Sequence, residues 1–257
     1  MKLTPESMVE TLTDLARERF PHVAVVEAVT SSNGVLWDML KAGYGDGTVV
    51  IAQSQTGGRG RLGRTWESPP GNLYMSVLRR MAETPEKAAI VSLLAGIAVA
   101  QSVASVAGVS PALKWPNDVL VGSRKLAGIL LEARDDWQVV GIGLNVNCTL
   151  DSLGPELSSV ATTLLAETGR THDLASLSGG VLNVFAELEA QFAQDKQLPV
   201  EKFTNYFPFL GTRVQVQLDG RTLEGSIESV EPDGTLVLID DLNLRHKVSS
   251  GEVKHVR

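Results

Sequence analysis

Apolar positions near the N-terminus recur at a helical spacing. Met8, Leu12 and Leu15 share one face of a helix predicted over 5–19, with Thr4 as its cap and Pro5 in the first helical position. Val23 to Ala28 then reads as a strand, and Thr30-Ser-Ser-Asn33 supplies hydroxyls and an amide suited to capping a helical stretch over 34–41. Thr48 to Ala52 and Asn72 to Leu78 are short apolar runs of the strand type. The longest helix is predicted over 86–107, where Ile90, Val91, Leu94, Ile97 and Val103 leave almost no polar face. Such a helix belongs in an interior, packed against a sheet. Ala112 to Val121 and Lys125 to Glu132 flank Gly122-Ser123, which is a hairpin signal. Val139 to Asn145 adds another buried strand, and helical stretches are predicted over about 161–166, 174–196 and 200–207.

The period changes after Pro208 to Gly211. Arg213 to Leu218 alternates strictly, Asp219-Gly220 and Pro232-Asp-Gly234 are turns, and Thr222 to Ser226 and Thr235 to Ile239 are strand-like. Several short strands in so small a span make a small antiparallel barrel or sandwich. The chain is therefore expected to divide into residues 1–209 and a small β domain over 210–257.

Composition narrows the function classes. The 257 residues are 43% hydrophobic with mean hydropathy near zero, enough to bury a core. No uninterrupted apolar run approaches ~18 residues and the first residues lack a signal-type apolar stretch, so no membrane partner is expected and cytoplasmic residence is the default. The single cysteine, Cys148, has no internal partner for a disulfide and follows a strand pattern, as a small buried hydrophobe does. Four scattered histidines show no zinc spacing, and neither a Walker loop nor a Gly-x-Ser-x-Gly elbow is present. An isoelectric point near 5.2 argues against general nucleic-acid affinity.

Against that acidic background one segment stands out, Gln53 to Pro70. Between Gly57 and Arg64 lie four glycines and three arginines, Arg59, Arg61 and Arg64, in a chain of net charge −7. Glycine lets backbone approach a ligand closely, and arginine offers a planar, permanently charged fork that matches carboxylates and phosphates. Together they describe a flexible loop that wraps an anion and becomes ordered when the anion arrives. A solvated basic hairpin or a nucleic-acid contact is the other reading of the loop taken alone. Gly58-x-Gly60-x-x-Gly63 also has the dinucleotide-binding spacing, but that fingerprint must open a helix, and Pro69-Pro70-Gly71 follows soon after. A dinucleotide site is rejected.

Three further segments place polar groups in apolar surroundings. They are Lys114-Trp-Pro-Asn-Asp118, Lys125 at the head of an apolar strand, and Asn145 with Asn147 interrupting another. Singly, Trp115 reads equally as core, Asp118 as a turn residue and Lys125 as a snorkelling edge charge. Joined to the arginine loop, the set resembles the catalytic module of biotin protein ligases. The Gly-Arg-Gly-Arg-x-Gly-Arg-x-Trp loop at 58–66, Lys-Trp-Pro-Asn-Asp at 114–118, Lys-Leu-Ala-Gly-Ile at 125–129 and Gly-x-Asn at 143–145 match in order. Ser-Ser-Asn at 31–33 is similar to the family's Ser-Thr-Asn, with Ser32 where threonine is usual. The resemblance spans roughly residues 23–257.

What the resemblance implies is an α+β fold, a mixed and mostly antiparallel sheet with helices like that of class II aminoacyl-tRNA synthetases, followed by a small C-terminal SH3-like β-barrel. It implies ATP and biotin as substrates with Mg2+, a biotinyl-adenylate intermediate, and transfer to a lysine of a biotin carboxyl carrier protein. Lys125 and Arg61 would be catalytic. Ser31, Ser32, Asn33, Gln55, Arg59, Gly60, Arg61 and Lys125 would bind biotin. Arg61, Arg64, Trp66, Asn117 and Asn145 would bind the nucleotide, and Asp118 would face the metal. Lipoate ligases share the fold and the adenylation step, but the arginine loop favours biotin. Longer members carry a DNA-binding domain; here residues 1–22 precede the matched module, so a monofunctional ligase without a DNA partner is expected. Self-association leaves no motif, so a homodimer stays open.

Overall fold

The computed structural model describes residues 3–81, 89–218 and 220–255. Its larger sheet contains β1 (His22–Val29), β2 (Thr48–Gln55), β3 (Leu73–Arg80), β4 (Pro111–Lys114), β5 (Asp118–Val121), β6 (Arg124–Arg134) and β7 (Trp137–Leu144). The order across it is β1-β2-β3-β7-β6-β5-β4. Only β1 and β2 run parallel, because the helix α3 (Ser32–Lys41) crosses over between them; every other pairing is antiparallel. The expected α+β architecture is therefore the observed one.

Strand alternation sorts side chains between two layers. Val49, Ile51, Met75, Val77, Val140 and Ile142 face the main core, under α4 (Ile90–Ala107) and α6 (Leu174–Asp195). Helix α4 is long and apolar enough to cross a membrane, yet 78% of it is buried inside the protein, as its all-round apolar pattern required. Its expected first residues, 86–88, lie outside the described residues, as does Asp219. Val50, Leu78 and Val139 face the other way, against Leu36 and Trp37 of α3. Helix α3 covers part of this second face. The candidate site occupies the remainder.

The helix expected over 5–19 is two helices, α1 (Pro5–Thr11) and α2 (Asp14–Arg19). Leu12 is extended between them, and Thr13 caps the second by accepting from the Ala16 N–H. Asn183 of α6 makes the break affordable: its Oδ1 accepts from the Thr13 N–H at 2.9 Å and its Nδ2 donates to the Thr11 carbonyl at 3.0 Å. Both backbone groups released by the interruption are thus satisfied. Two shorter helices, α5 (Leu164–Thr168) and α7 (Val200–Thr204), complete the layer near the expected places.

The C-terminal unit is a five-stranded antiparallel sheet of β8 (Arg213–Leu218), β9 (Arg221–Val230), β10 (Leu236–Ile239), β11 (Arg245–Val248) and β12 (Glu252–His255), in the order β11-β10-β9-β8-β12. Its apolar face, with Val214, Val216, Leu236 and Leu238, joins the same buried cluster as α4 and α6. Trp115 Nε1 donates to the Gly234 carbonyl at 3.0 Å, pinning the Lys-Trp-Pro-Asn-Asp segment to this sheet.

Candidate active site

The arginine loop is a narrow finger. Gly57 N–H donates to the Thr30 carbonyl at 2.8 Å, Arg59 and Thr65 form a β-bridge, and Gly60 N–H donates to the Arg64 carbonyl at 2.7 Å. At the tip Leu62 and Gly63 both adopt left-handed backbone, φ 57° and 74°. Where the finger narrows only glycine fits: a Cβ on Gly58 would stand 2.3 Å from the Trp66 carbonyl oxygen. No α-helix follows, so the rejection of a dinucleotide fingerprint stands.

Its three arginines reach three different elements. Arg59 Nη2 donates to Glu132 on β6 at 3.1 Å. Arg61 Nη1 donates to Asn117 Oδ1 at 2.9 Å, and Nη2 to the Gly251 carbonyl at 3.4 Å. Arg64 Nη2 pairs with both oxygens of Glu252, at 2.7 and 2.8 Å. Burial pulls the Arg61 guanidinium pKa down, with the charges of Asp118 and Glu252 opposing it, whereas the hydrogen bonds to Glu252 raise that of Arg64. The same contact with Arg64 holds the Glu252 carboxyl below its ordinary range. The C-terminal sheet thus supplies part of the loop's anchorage.

Lys125 owes its direction to a bulge. Between β5 and β6 the register slips, so that Val119 pairs with Ala127 and Leu120 with Lys125, leaving Leu126 unpaired. Lys125 and Gly128 are three apart, a spacing that puts side chains on opposite faces of a regular strand. With the bulge they share a face: a Cβ on Gly128 would meet Lys125 Cε at 3.0 Å. Lys125 Nζ lies 2.6 Å from Asp118 Oδ1 and 5.2 Å from the Trp66 ring centroid. The Asp118 contact is a charge pair whose approach falls outside hydrogen-bond directions. A part-buried ammonium thereby has an acid on one hand and an aromatic face on the other.

Glycines make the floor. Gly128 on β6 pairs with Gly143 on β7, and Cβ atoms there would stand 3.0 Å and 2.5 Å from the Trp66 ring. A Cβ on Gly141 would stand 2.5 Å from Asn33 Oδ1. The indole and the amide can therefore lie directly on the sheet. Ser31 occupies the cap position of α3 but makes no capping hydrogen bond, so its hydroxyl is not spent on the helix. Ser32 is committed more fully, its N–H and Oγ lying 2.8 and 3.1 Å from Gln55 Oε1.

Three clefts meet here. The first is lined by Ser31, Ser32, Gln55, Arg59, Trp66 and Lys125; the second by Arg64, Trp66, Asp118, Lys125 and Asn145; the third by Arg61, Lys114, Asn117, Lys125 and Glu252. Among the described residues Lys125 alone lines all three. Trp66 forms the wall between the first two. Asn145 donates to the Thr162 carbonyl at 3.1 Å while its buried Oδ1 has no partner among the described residues, an acceptor placed for a ligand donor. Every residue expected at the site from the sequence is thus brought into one region.

Residues 25–147 match the profile of the biotin/lipoate A/B protein ligase family, and 209–256 that of the biotin protein ligase C-terminal domain. The biotin–[acetyl-CoA-carboxylase] ligase of Mycobacterium tuberculosis is 36% identical over 222 residues, covering 82% of this chain and 80% of that protein. The chain belongs to the biotin protein ligase family. A bifunctional ligase/repressor of Bacillus spizizenii is 28% identical over 91% of this ligase and 74% of its own length. The solved biotin protein ligase of Aquifex aeolicus in complex with biotin and ATP superposes with a TM-score of 0.81 at 28% identity, over 93% of this chain and 100% of that one.

Two features of this ligase's site escaped the sequence: Glu252 anchors Arg64 from the C-terminal sheet, and Glu132 receives Arg59. Lys114, singled out with its segment but given no role there, faces the third cleft. Of the two missed residues only Glu132 left a signal, a charge ending the apolar run that starts at Lys125. Among the described residues no three His, Cys, Asp or Glu side chains gather as a metal site. Mg2+ takes one or two carboxylates and completes its shell with water and phosphate oxygens. Asp118 fits such an ion as a single protein ligand beside a phosphate.

Proposed function

We propose that this ligase joins biotin to ATP across the three clefts, releasing pyrophosphate, and passes biotin from biotinyl-5'-AMP to a lysine of a biotin carboxyl carrier protein. The convergence of the clefts on Lys125 carries the reading. A carboxylate attacking the α-phosphate brings two anions together, and a fixed ammonium at their meeting point stabilises the charge that grows there. Biotin lies in the first cleft, with Ser31, Ser32 and Gln55 offering hydrogen-bond partners to its polar ring edge. The glycine floor and Trp66 enclose the rest. The adenosine takes the second cleft beside Trp66 and Asn145. The triphosphate extends into the third, where Arg61, Arg64 and Lys114 supply positive charge and Asn117 steadies Arg61. Asp118 would hold Mg2+, which would supply charge to offset that of the leaving pyrophosphate. The chain divides into a catalytic unit over 1–209 and a β unit over 210–257 that anchors the arginine loop.

Single-turnover incubation with labelled ATP tests this. Pyrophosphate release should require biotin, fail with lipoate, and leave an enzyme-bound adenylate that a carrier domain discharges. Release with lipoate but not biotin would assign the chain to the other branch of the matched family.

A further inference from the structure

Glu132 is not among the residues lining the first cleft, yet two that do line it, Asn33 and Arg59, converge on its carboxylate together with Trp37. Asn33 Nδ2 donates to Oε2 at 3.0 Å and Trp37 Nε1 donates to the same oxygen at 3.3 Å, both from α3. From the arginine loop Arg59 Nη2 lies 3.1 Å from the same Oε2 and from Oε1. We propose that Glu132 is a positioning residue for the ligase reaction. It locks the biotin seat on α3 and the arginine loop into one arrangement, so that Arg59 and the seat meet biotin already placed.

The polarity of the network supports this. A carboxylate only accepts, so Asn33 must present Nδ2 to Glu132 and Oδ1 to its other neighbour, the Ser76 hydroxyl at 2.6 Å. Ser76 Oγ lies 2.7 Å from Ser32 Oγ, and since its own proton goes to Asn33, Ser32 supplies the proton of that contact or gives it to Gln55. Gln55 Oε1 takes the Ser32 N–H, which turns Gln55 Nε2 to Ser68 Oγ at 3.0 Å. One carboxylate therefore sets the orientation of Asn33 and, through it, of the Ser76 hydroxyl against Ser32, while the Ser32 backbone N–H fixes Gln55. Of Arg59 it spends only Nη2. Nε and Nη1 have no partner among the described residues and stay available to an anion. Arg59 is otherwise a long side chain, 45% exposed, whose ordering would have to be met at each binding event.

A carboxylate is needed because Oε2 accepts from all three donors while Arg59 Nη2 stands equally close to Oε1. In Glu132→Gln a carbonyl oxygen in the Oε2 position leaves the amide NH2 in the Oε1 position, with its protons against Arg59 Nη2; turned over, the NH2 confronts Asn33, Trp37 and Arg59 together. The proposal rests on the ligase reading, so wild type is run in the same assay, biotin-dependent pyrophosphate release. If wild type fails, it is that reading which falls. With wild type active, Glu132→Gln should raise the biotin KM on the order of tenfold, the scale of one lost charge-assisted hydrogen bond, and leave the ATP KM and the melting temperature near wild type. Arg59→Ala should abolish most of that increment when combined with Glu132→Gln. Unchanged biotin KM, or biotin and ATP constants that move together with a lowered melting temperature, would overturn it. Should the glutamine variant not fold, Glu132→Asp, charged but one methylene too short to reach all three donors, is read by the same criteria. Failure of both to fold would also overturn it, since the carboxylate would then be holding the fold rather than the site.

Discussion

Placing one methyl group on Gly143 should disable the ligase without unfolding it. An ideal Cβ there stands 2.5 Å from Trp66 Cε2 and Nε1 and 2.8 Å from Cζ2. Carbon atoms settle at about 3.5–4.0 Å, so the indole must retreat from the sheet by roughly 1 Å. It has little freedom to do so, because the same ring rests over Gly128 and beneath Lys125 Nζ. The wall between the first two clefts then moves and takes the cation with it. A displacement of about 1 Å at a reacting centre is worth on the order of 10²-fold in rate. Stability should hardly suffer: φ at Gly143 is not left-handed, and alanine in a strand interior is favoured over glycine by about 0.5–1 kcal/mol, which offsets part of the strain. Biotin-dependent ATP–pyrophosphate exchange, read beside thermal unfolding, measures both. Gly34→Ala is the control, since its nearest neighbour would be Ser31 Cβ at 3.8 Å, and it should retain full exchange. Wild-type exchange by Gly143→Ala would refute the idea that Trp66 must lie on a glycine floor.

Lys125→Ala should lower adenylate formation on the order of 10²-fold or more with the fold intact, seen as loss of single-turnover pyrophosphate release; release at the wild-type rate would make Lys125 a surface charge. Arg61→Gly breaks the contacts to Asn117 and the Gly251 carbonyl, so it should still form the adenylate but leak it, labelling bystander lysines on a biotin blot. Adenylate synthesis without bystander labelling would mean that Arg61 does not retain the intermediate. The finger over 57–66 should gain hydrogen-exchange protection when biotin and ATP bind, because ordering glycine-rich backbone must be offset by arginine–anion contacts; equal protection with and without ligands contradicts this. Acidification should weaken the fold through His172, whose imidazole is held below its ordinary pKa of 6.5, chiefly by burial. The unfolded chain then binds a proton that the folded one refuses, so stability declines as pH falls through that value. His172→Gln should flatten the dependence of the urea midpoint on pH, and an unchanged slope would remove His172 from the account.

The chemistry of this site was legible in the chain because it is carried by short contiguous runs. Glycines and arginines from 57 to 64, Lys-Trp-Pro-Asn-Asp at 114–118 and Lys125 each state a residue type and a local backbone together. Hydrophobic period marked most strands and the buried α4 for the same reason, since alternation and helical spacing are local properties. Partnership is not local. That Arg59, Arg61 and Arg64, neighbours in one loop, reach Glu132, Asn117 and Glu252 depends on strands brought together from three other parts of the chain. The break at Leu12 needed Asn183, which lies more than half the chain away. Lys125 faces the clefts because a bulge at Leu126 changes the phase of β6, and an apolar run reads the same with or without a bulge. The sequence by itself determined which charges and glycines were available and on which elements they ride. The tertiary structure alone decided which of them meet, because long-range pairing is set by sheet order and strand phase, and neither has a signature within a single segment.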